Sequence, residues 1–108
     1  MPELTISEIL SDLRMAEEIM SKFERRYWIT SDQFFELYSD GLLDDGEHAE
    51  DFSEWAGFFK LKQRREGSFR ELGEMRLNRL RSAKQGANIR LTPQEPVIEV
   101  QSHDPTAL

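Results

Sequence analysis

The sequence contains no cysteine among its 108 residues, which excludes disulfide bonds and metal sites built on thiolates. No apolar run approaches the roughly 20 residues that a membrane-spanning helix needs. The amino terminus has neither the basic region nor the apolar core that is typical of a signal peptide. We therefore expect a cytoplasmic protein that does not enter a membrane.

Sequence motifs that carry catalysis are also missing. There is no glycine-rich phosphate loop and no nucleophile motif, and the two histidines, His48 and His103, lie far apart in the chain. The acidic run 44–51 does not reproduce the ligand order or the glycine position of an EF-hand calcium loop. We expect no enzymatic activity, no metal site and no cofactor.

Charge is abundant but unevenly distributed. Residues 1–56 carry fifteen acidic and four basic side chains, whereas residues 57–90 carry ten basic and three acidic ones, and the net charge is −7. Overall acidity opposes long-range attraction to phosphate, so we do not expect nucleic acid as a partner. The basic segment is better explained by antiparallel packing against the acidic first segment, or by docking on an acidic partner.

Apolar spacing predicts a long first helix. Thr5 followed by Glu8 fits a capping box, in which each side chain accepts a hydrogen bond from the other residue's backbone. Apolar residues then recur at alternating spacings of three and four, as in a coiled-coil heptad. These positions are Ile6, Ile9, Leu13, Ala16, Met20, Phe23 and Tyr27.

A short second helix is predicted directly after the first. Thr30 and Gln33 form a second capping box, so the helix should run from Ser31 to Asp40. Gly41 is the expected C-cap because glycine readily adopts the left-handed conformation that ends many helices.

A long third helix is predicted to begin with Asp51 as its N-cap and to end near Gly86. It should be firm as far as Leu61. Beyond that point we expect it to bend, to fray or to depend on a partner, because 62–68 has no apolar residue and the two interior glycines, Gly67 and Gly73, each weaken a helix by about 1 kcal/mol.

These elements predict an all-α fold: an antiparallel hairpin of two long helices with one short helix at the corner. Residues 1–86 would form this domain. Residues 87–108 contain three of the four prolines and would form a tail that is flexible or ordered by a partner. The complete heptad stripe favours a homodimer, such as a four-helix bundle.

The corner 27–55 is rich in aromatic side chains, most of which should form the core. We expect three of the aromatics in and just beyond it, Trp28, Phe35 and Phe58, to point outward as anchors for a partner, since aromatic and arginine side chains contribute much of the energy of interfaces. The other candidates for partner binding are charged: Asp44, Asp45, Glu47, Arg64 and Arg65.

The same corner carries a family resemblance. Residues 27–34 read YWITSDQF, and Gly41, Asp44–Asp45, Asp51–Phe52 and Glu54–Trp55 follow. This resembles small prokaryotic helical antitoxin-like proteins, whose pattern is Tyr-Gly-Met-Ser-Ser-Glu-Glu-Phe, then Asp-Asp, then Asp-Phe-x-Glu-Trp. The resemblance covers about residues 5–62, and Trp28 stands where that family usually has glycine.

The resemblance implies a non-enzymatic protein that neutralises a cognate toxin-like protein by direct binding. Two other functions remain open: a structural coiled-coil adaptor or assembly subunit, and a DNA-binding autoregulator that uses the basic helix.

Overall fold

The computed structural model describes residues 3–44, 46–83, 88–95 and 100–101. Within these residues the chain forms three helices, α1 (Ile6–Tyr27), α2 (Ser31–Ser39) and α3 (Ala49–Ser82). Two short strands, β1 (Glu3–Leu4) and β2 (Val100–Gln101), pair antiparallel. The predicted helical hairpin is confirmed, because α1 packs along α3.

Both predicted capping boxes are present. At the start of α1 the Glu8 amide donates to Thr5 Oγ1 over 3.1 Å, and the Thr5 amide donates to the Glu8 carboxylate over 3.4 Å. At the start of α2 Thr30 and Gln33 exchange the same two bonds, each 3.1 Å long. These short-range pairs satisfy backbone donors that a helix start leaves without partners.

The end of α2 also follows its prediction closely. Gly41 adopts a left-handed conformation with φ 69°. Its amide donates to the Tyr38 carbonyl and the Leu42 amide donates to the Leu37 carbonyl, which together form a Schellman motif. The chain therefore leaves α2 sharply and turns towards α3.

The start of α3 differs from the prediction. The helix begins at Ala49 rather than after Asp51, and its N-cap, His48, makes no side-chain capping bond. Asp51 lies inside the first turn, where its carboxylate accepts a hydrogen bond from the Tyr27 hydroxyl and pairs with Arg26 of α1. Asp51 joins two helices instead.

Helix α3 continues without interruption for 34 residues, through Gly67 and Gly73, and ends at Ser82. The predicted end near Gly86 lies outside the described residues. The polar middle of the helix is supported from α1, where the Asp12 carboxylate accepts a 2.7 Å hydrogen bond from Arg65 Nε.

The core lies at the corner end of the hairpin, which we define as residues 20–59. Trp55 is fully buried there, between Phe34 at 3.9 Å and Phe23 at 5.5 Å between ring centroids. The buried members of this cluster are Met20, Phe23, Phe34, Phe52, Trp55, Ala56 and Phe59. Aromatic stacking of this kind adds to the stabilisation that burial alone provides.

The open end, residues 3–19 and 60–83, is packed more thinly. Its buried cluster consists of Ile9 and Leu72, with Leu4, Ile6 and Leu13 packed against them. Ile9 of α1 meets Leu72 of α3, and α1 begins only three residues before Ile9, so the end of α3 extends past the start of α1. The molecule is elongated, measuring 61 × 31 × 21 Å.

The heptad stripe of α1 is covered by α3 of the same chain, and Ile9, Ala16, Met20 and Phe23 are buried there. A dimer would therefore use other surfaces. None of the described helices combines the length and the apolar character needed to cross a membrane.

Part of the predicted tail returns to the amino terminus. Leu4 pairs with Val100, and the Glu95 carboxylate accepts 2.8 Å hydrogen bonds from the amide and the hydroxyl of Ser7. Glu95 thereby places a negative charge at the start of α1, where the helix dipole favours it. The other parts of the predicted tail, 87, 96–99 and 102–108, lie outside the described residues.

Candidate protein-binding surfaces

Trp28 is the most exposed large apolar side chain that the structure describes, with 88% of its surface accessible. It ends α1 in a left-handed conformation with φ 59°, and its amide donates to the Glu24 carbonyl over 2.8 Å. A bulky side chain in this conformation costs about 1–2 kcal/mol relative to glycine. The outward placement expected for Trp28 is confirmed, and the chain holds it there at a cost.

The backbone beneath Trp28 is fixed by a polar link between all three helices. The Glu24 carboxylate of α1 accepts hydrogen bonds from the Ser31 amide, over 2.9 Å, and from the Ser31 hydroxyl, over 2.8 Å. Ser31 Oγ in turn accepts a 2.8 Å hydrogen bond from Trp55 Nε1. Ser31 is 6% exposed, so these bonds are shielded from water and strongly directional.

A shallow open depression of about 310 Å³ lies beside Trp28. Its walls are Glu24, Trp28, Ile29, Thr30 and Gln33. The indole ring stands at the rim of this depression, next to one carboxylate and two polar side chains of the α2 capping box. Such a surface matches a partner that offers an apolar pocket with hydrogen-bonding groups around it.

The outward placement predicted for Phe35 and Phe58 is wrong. Both are half-buried and pack against the corner core. Phe35 stacks on Phe59 of α3 with ring centroids 4.5 Å apart and planes 16° apart. The periodicity of α2 placed Phe35 to one side of the apolar face of that helix. Phe59 of α3 covers this side as well.

The acidic rim of the corner is exposed where the structure describes it. Asp44 and Glu47 face solvent, while Asp45 lies outside the described residues. The Asp44 carboxylate accepts a hydrogen bond from the Gly46 amide, and His48 Nε2 lies 3.8 Å from the Glu47 carboxylate. Among the described residues no three carboxylate or imidazole side chains are grouped as a metal ion would require.

Tyr27 sits at the inner edge of this rim. Its ring packs on Phe52 and Trp55, and its hydroxyl donates a 2.5 Å hydrogen bond to Asp51. Burial raises the pKa of Tyr27, and the hydrogen bond to Asp51 and the negative charge of that carboxylate raise it further. The hydroxyl therefore remains a donor that ties α1 to α3.

The two basic candidates, Arg64 and Arg65, occupy different environments. Arg65 is half-buried and paired with Asp12, which removes it from the surface available to a partner, whereas Arg64 is exposed. Arg65–Asp12 is the kind of pair expected between a basic third helix and an acidic first helix. Two further pairs between these helices have the opposite polarity, Lys22–Glu54 at 3.7 Å and Arg26–Asp51 at 3.2 Å.

Electrostatic packing of α3 on α1 is therefore only part of the explanation for the basic segment. Arg70, Arg76, Arg79 and Arg81 form no ion pair with any residue that the structure describes. They lie on the open-end half of α3, together with several exposed apolar residues. These apolar residues are Phe69, Met75 and Leu77, each 39–42% exposed.

Sequence reasoning missed three contacts: Glu24 with Ser31, Ser31 with Trp55, and Ser7 with Glu95. Glu24 and Ser31 stand seven residues apart with a helix end between them, and the other two pairs are 24 and 88 residues apart. No local signal marks such pairs.

Comparisons with protein-family models, with curated proteins and with solved structures find no match to this chain.

Proposed function

We propose that this protein is a non-enzymatic protein-binding module, with the corner end as its binding surface and Trp28 as the anchor. The observation that carries the proposal is the indole of Trp28, 88% exposed on a backbone held at positive φ. Burial of an exposed tryptophan in a partner's pocket removes a large apolar area from water. Tryptophan is also enriched among the residues that dominate binding energy.

The corner is suited to this role because it is already ordered. The hydrogen bonds among Glu24, Ser31 and Trp55 fix the end of α1 and the start of α2, so the anchor loses little conformational freedom on binding. The polar groups buried at the corner are occupied by these bonds, which supports a structural rather than a catalytic use.

The charges at the corner end indicate what kind of surface the partner has. The corner end carries ten acidic and three basic side chains, and two of the exposed ones on its rim are Asp44 and Glu47. A partner with an apolar pocket and a basic surround would complement it, and charge of this kind chiefly raises the association rate.

The more specific form of the proposal is an antitoxin of a prokaryotic toxin–antitoxin pair that acts in the cytoplasm. It rests on the resemblance of the 27–55 corner to antitoxin-like proteins. Trp28 replaces the glycine usual in that family, so this chain has an anchor that a glycine would not provide. The corresponding partner is the toxin-like product of a neighbouring gene.

The test is coexpression of the chain with the product of the gene beside its own, followed by copurification and titration calorimetry. Wild type should form a stable complex, and Trp28→Ala should weaken it at least about 30-fold, the loss of an anchor worth about 2 kcal/mol. Leu42→Ala is the matched control, since Leu42 is also exposed at the corner end. Failure to copurify would refute the antitoxin form of the proposal, and equal losses for the two variants would refute Trp28 as the anchor.

Trp28→Gly separates binding from folding. Glycine fits the left-handed conformation at residue 28, so this variant should be more stable than wild type by about 1 kcal/mol in urea unfolding. It should nevertheless lose partner affinity as Trp28→Ala does. Weak binding by a better-folded variant cannot be attributed to damage to the hairpin.

A structural adaptor remains the second candidate, favoured by the elongated shape of the hairpin. An adaptor would bind a protein that is not encoded beside it, and the same Trp28 variants would report on that complex.

A further inference from the structure

An apolar stripe runs along the side of α3 at the open end. Phe69, Gly73 and Leu77 recur every four residues and so lie one above another on the helix surface. Phe69 and Leu77 are each 42% exposed, and a Cβ atom placed on Gly73 would meet no atom within 4 Å. The stripe is therefore two large apolar side chains separated by an open notch.

The stripe is not part of the intramolecular interface. Leu72 is the fully buried residue that faces Ile9 of α1, and Gly73, one position on, is turned by about 100° from it. The stripe also reaches into the part of α3 that extends past the start of α1. This side of the helix is accessible from Phe69 to Leu77.

We propose that the stripe binds a second copy of this chain, with the two α3 helices antiparallel and crossing at Gly73. In this arrangement a residue n positions before Gly73 faces the residue n positions after it in the other copy. Phe69 of each copy then packs on Leu77 of the other, because the two stand four positions either side of Gly73. The notch lets the two helices approach closely at the centre.

Charges along the flank of the stripe fit the same register. Glu66 stands seven positions before Gly73 and Arg81 eight after it, so Glu66 of one copy meets Arg81 of the other. Both side chains are exposed, and neither forms an ion pair with a residue that the structure describes.

A second copy is the occupant because the surface is complementary to itself. A two-fold dimer requires that each patch be complementary to the same patch on the other copy. In this stripe Phe69 pairs with Leu77 on either side of Gly73, and Glu66 pairs with Arg81 on the flank. The arrangement also accounts for Arg81, which packing of α3 on α1 leaves without a counter-ion among the described residues. It uses the end of the hairpin away from Trp28 and is independent of the proposed partner.

The test is sedimentation equilibrium of the full chain with a pair of glycine variants. Wild type should dimerise with a dissociation constant of about 10 µM, as befits a small interface. Gly73→Glu puts two carboxylates opposite each other at the crossing and should raise this constant at least about tenfold. Gly67→Glu is the control, since Gly67 is also open to solvent but lies off the stripe, and it should leave the constant unchanged.

Thermal unfolding at concentrations below the dissociation constant should give equal midpoints for the two variants, which shows that neither harms the hairpin. A charge exchange then tests the register. Glu66→Arg and Arg81→Glu should each weaken the dimer several-fold, and the double variant should recover wild-type affinity because the pairs reform with reversed sign.

A wild-type chain that remains monomeric at about 1 mM overturns the proposal. Equal effects of the two glycine variants also overturn it, because the stripe would then have no special role. A double charge variant weaker than either single one overturns the antiparallel register about Gly73.

Discussion

At the scale of single residues, the polar side chains at the corner act by joining helices. Asp51 looks like a helix cap, yet its carboxylate binds the Tyr27 hydroxyl and Arg26. Glu24 has the sequence position of a solvent-facing residue of α1, yet its carboxylate accepts hydrogen bonds from the amide and the hydroxyl of Ser31. Each of these contacts replaces water around a charged group, and each depends on the hairpin having closed.

Tyr27 should make stability depend on pH in alkaline solution. Its pKa is raised in the folded protein by burial first and then by Asp51, above the value near 10 of the unfolded chain. The folded state holds the proton more tightly, so this stabilisation is complete below about pH 10 and is lost as pH rises through the folded pKa.

Urea unfolding across this range should therefore show a steeper loss of stability above about pH 10 for wild type than for Tyr27→Phe. The phenylalanine variant keeps the ring packing on Phe52 and Trp55 and has no proton to lose. Parallel pH profiles for the two proteins would contradict this role for Tyr27.

At the scale of elements, α2 is held at both ends by features of its own sequence and in the middle by the other helices. The Thr30–Gln33 capping box starts it and the Gly41 turn ends it. Phe34 stacks on Trp55 of α3, and Ser31 bonds to both neighbouring helices. A nine-residue helix would be marginal alone, so packing decides its stability.

Ser31→Ala should lower the free energy of unfolding by about 1–3 kcal/mol, because it leaves Trp55 Nε1 without a partner in a buried site and removes one of the two hydrogen bonds to the Glu24 carboxylate. Ser39→Ala is the control in the same helix, where the side chain is exposed, and should change stability by less than about 0.5 kcal/mol. The measurement is chemical denaturation followed by tryptophan fluorescence. Similar costs for the two variants would show that the link is not structural.

At the scale of the whole molecule, packing is uneven along the hairpin. The corner cluster contains seven buried residues and the open-end cluster contains two. Free energy of local opening follows buried apolar contact, so the two ends should open independently and at different frequency. The two proposed interactions use different ends of the hairpin. Partner binding uses the well-packed corner end, and self-association uses the less densely packed open end.

Amide hydrogen exchange should reveal this gradient in dilute protein. Protection should be greatest at 52–59 of α3, where the helix crosses the aromatic core, and should fall towards 76–82, which extends past the start of α1. Raising the protein concentration should slow exchange across 66–80 if the second copy binds there. Uniform protection along α3 in dilute solution would show that the open end is as firmly held as the corner.

Sequence patterns predicted most of the elements because their causes are local. The capping boxes of α1 and α2 link residues three apart, and the Gly41 turn spans five residues. The heptad stripe correctly identified which face of α1 is buried. Of the candidate binding residues, Trp28, Asp44, Glu47 and Arg64 are exposed, and their role in binding a partner stays a prediction.

By itself, then, the sequence determined three helices, two of their starting points and the exposed tryptophan that ends α1. Only the tertiary structure decided that Asp51 bonds across to Tyr27, that Phe35 is covered by Phe59, and that α3 continues past its glycines to Ser82. The physical reason is separation along the chain. These outcomes depend on contacts between residues 24 or more positions apart, or on where one helix lies beside another, and no local pattern encodes either.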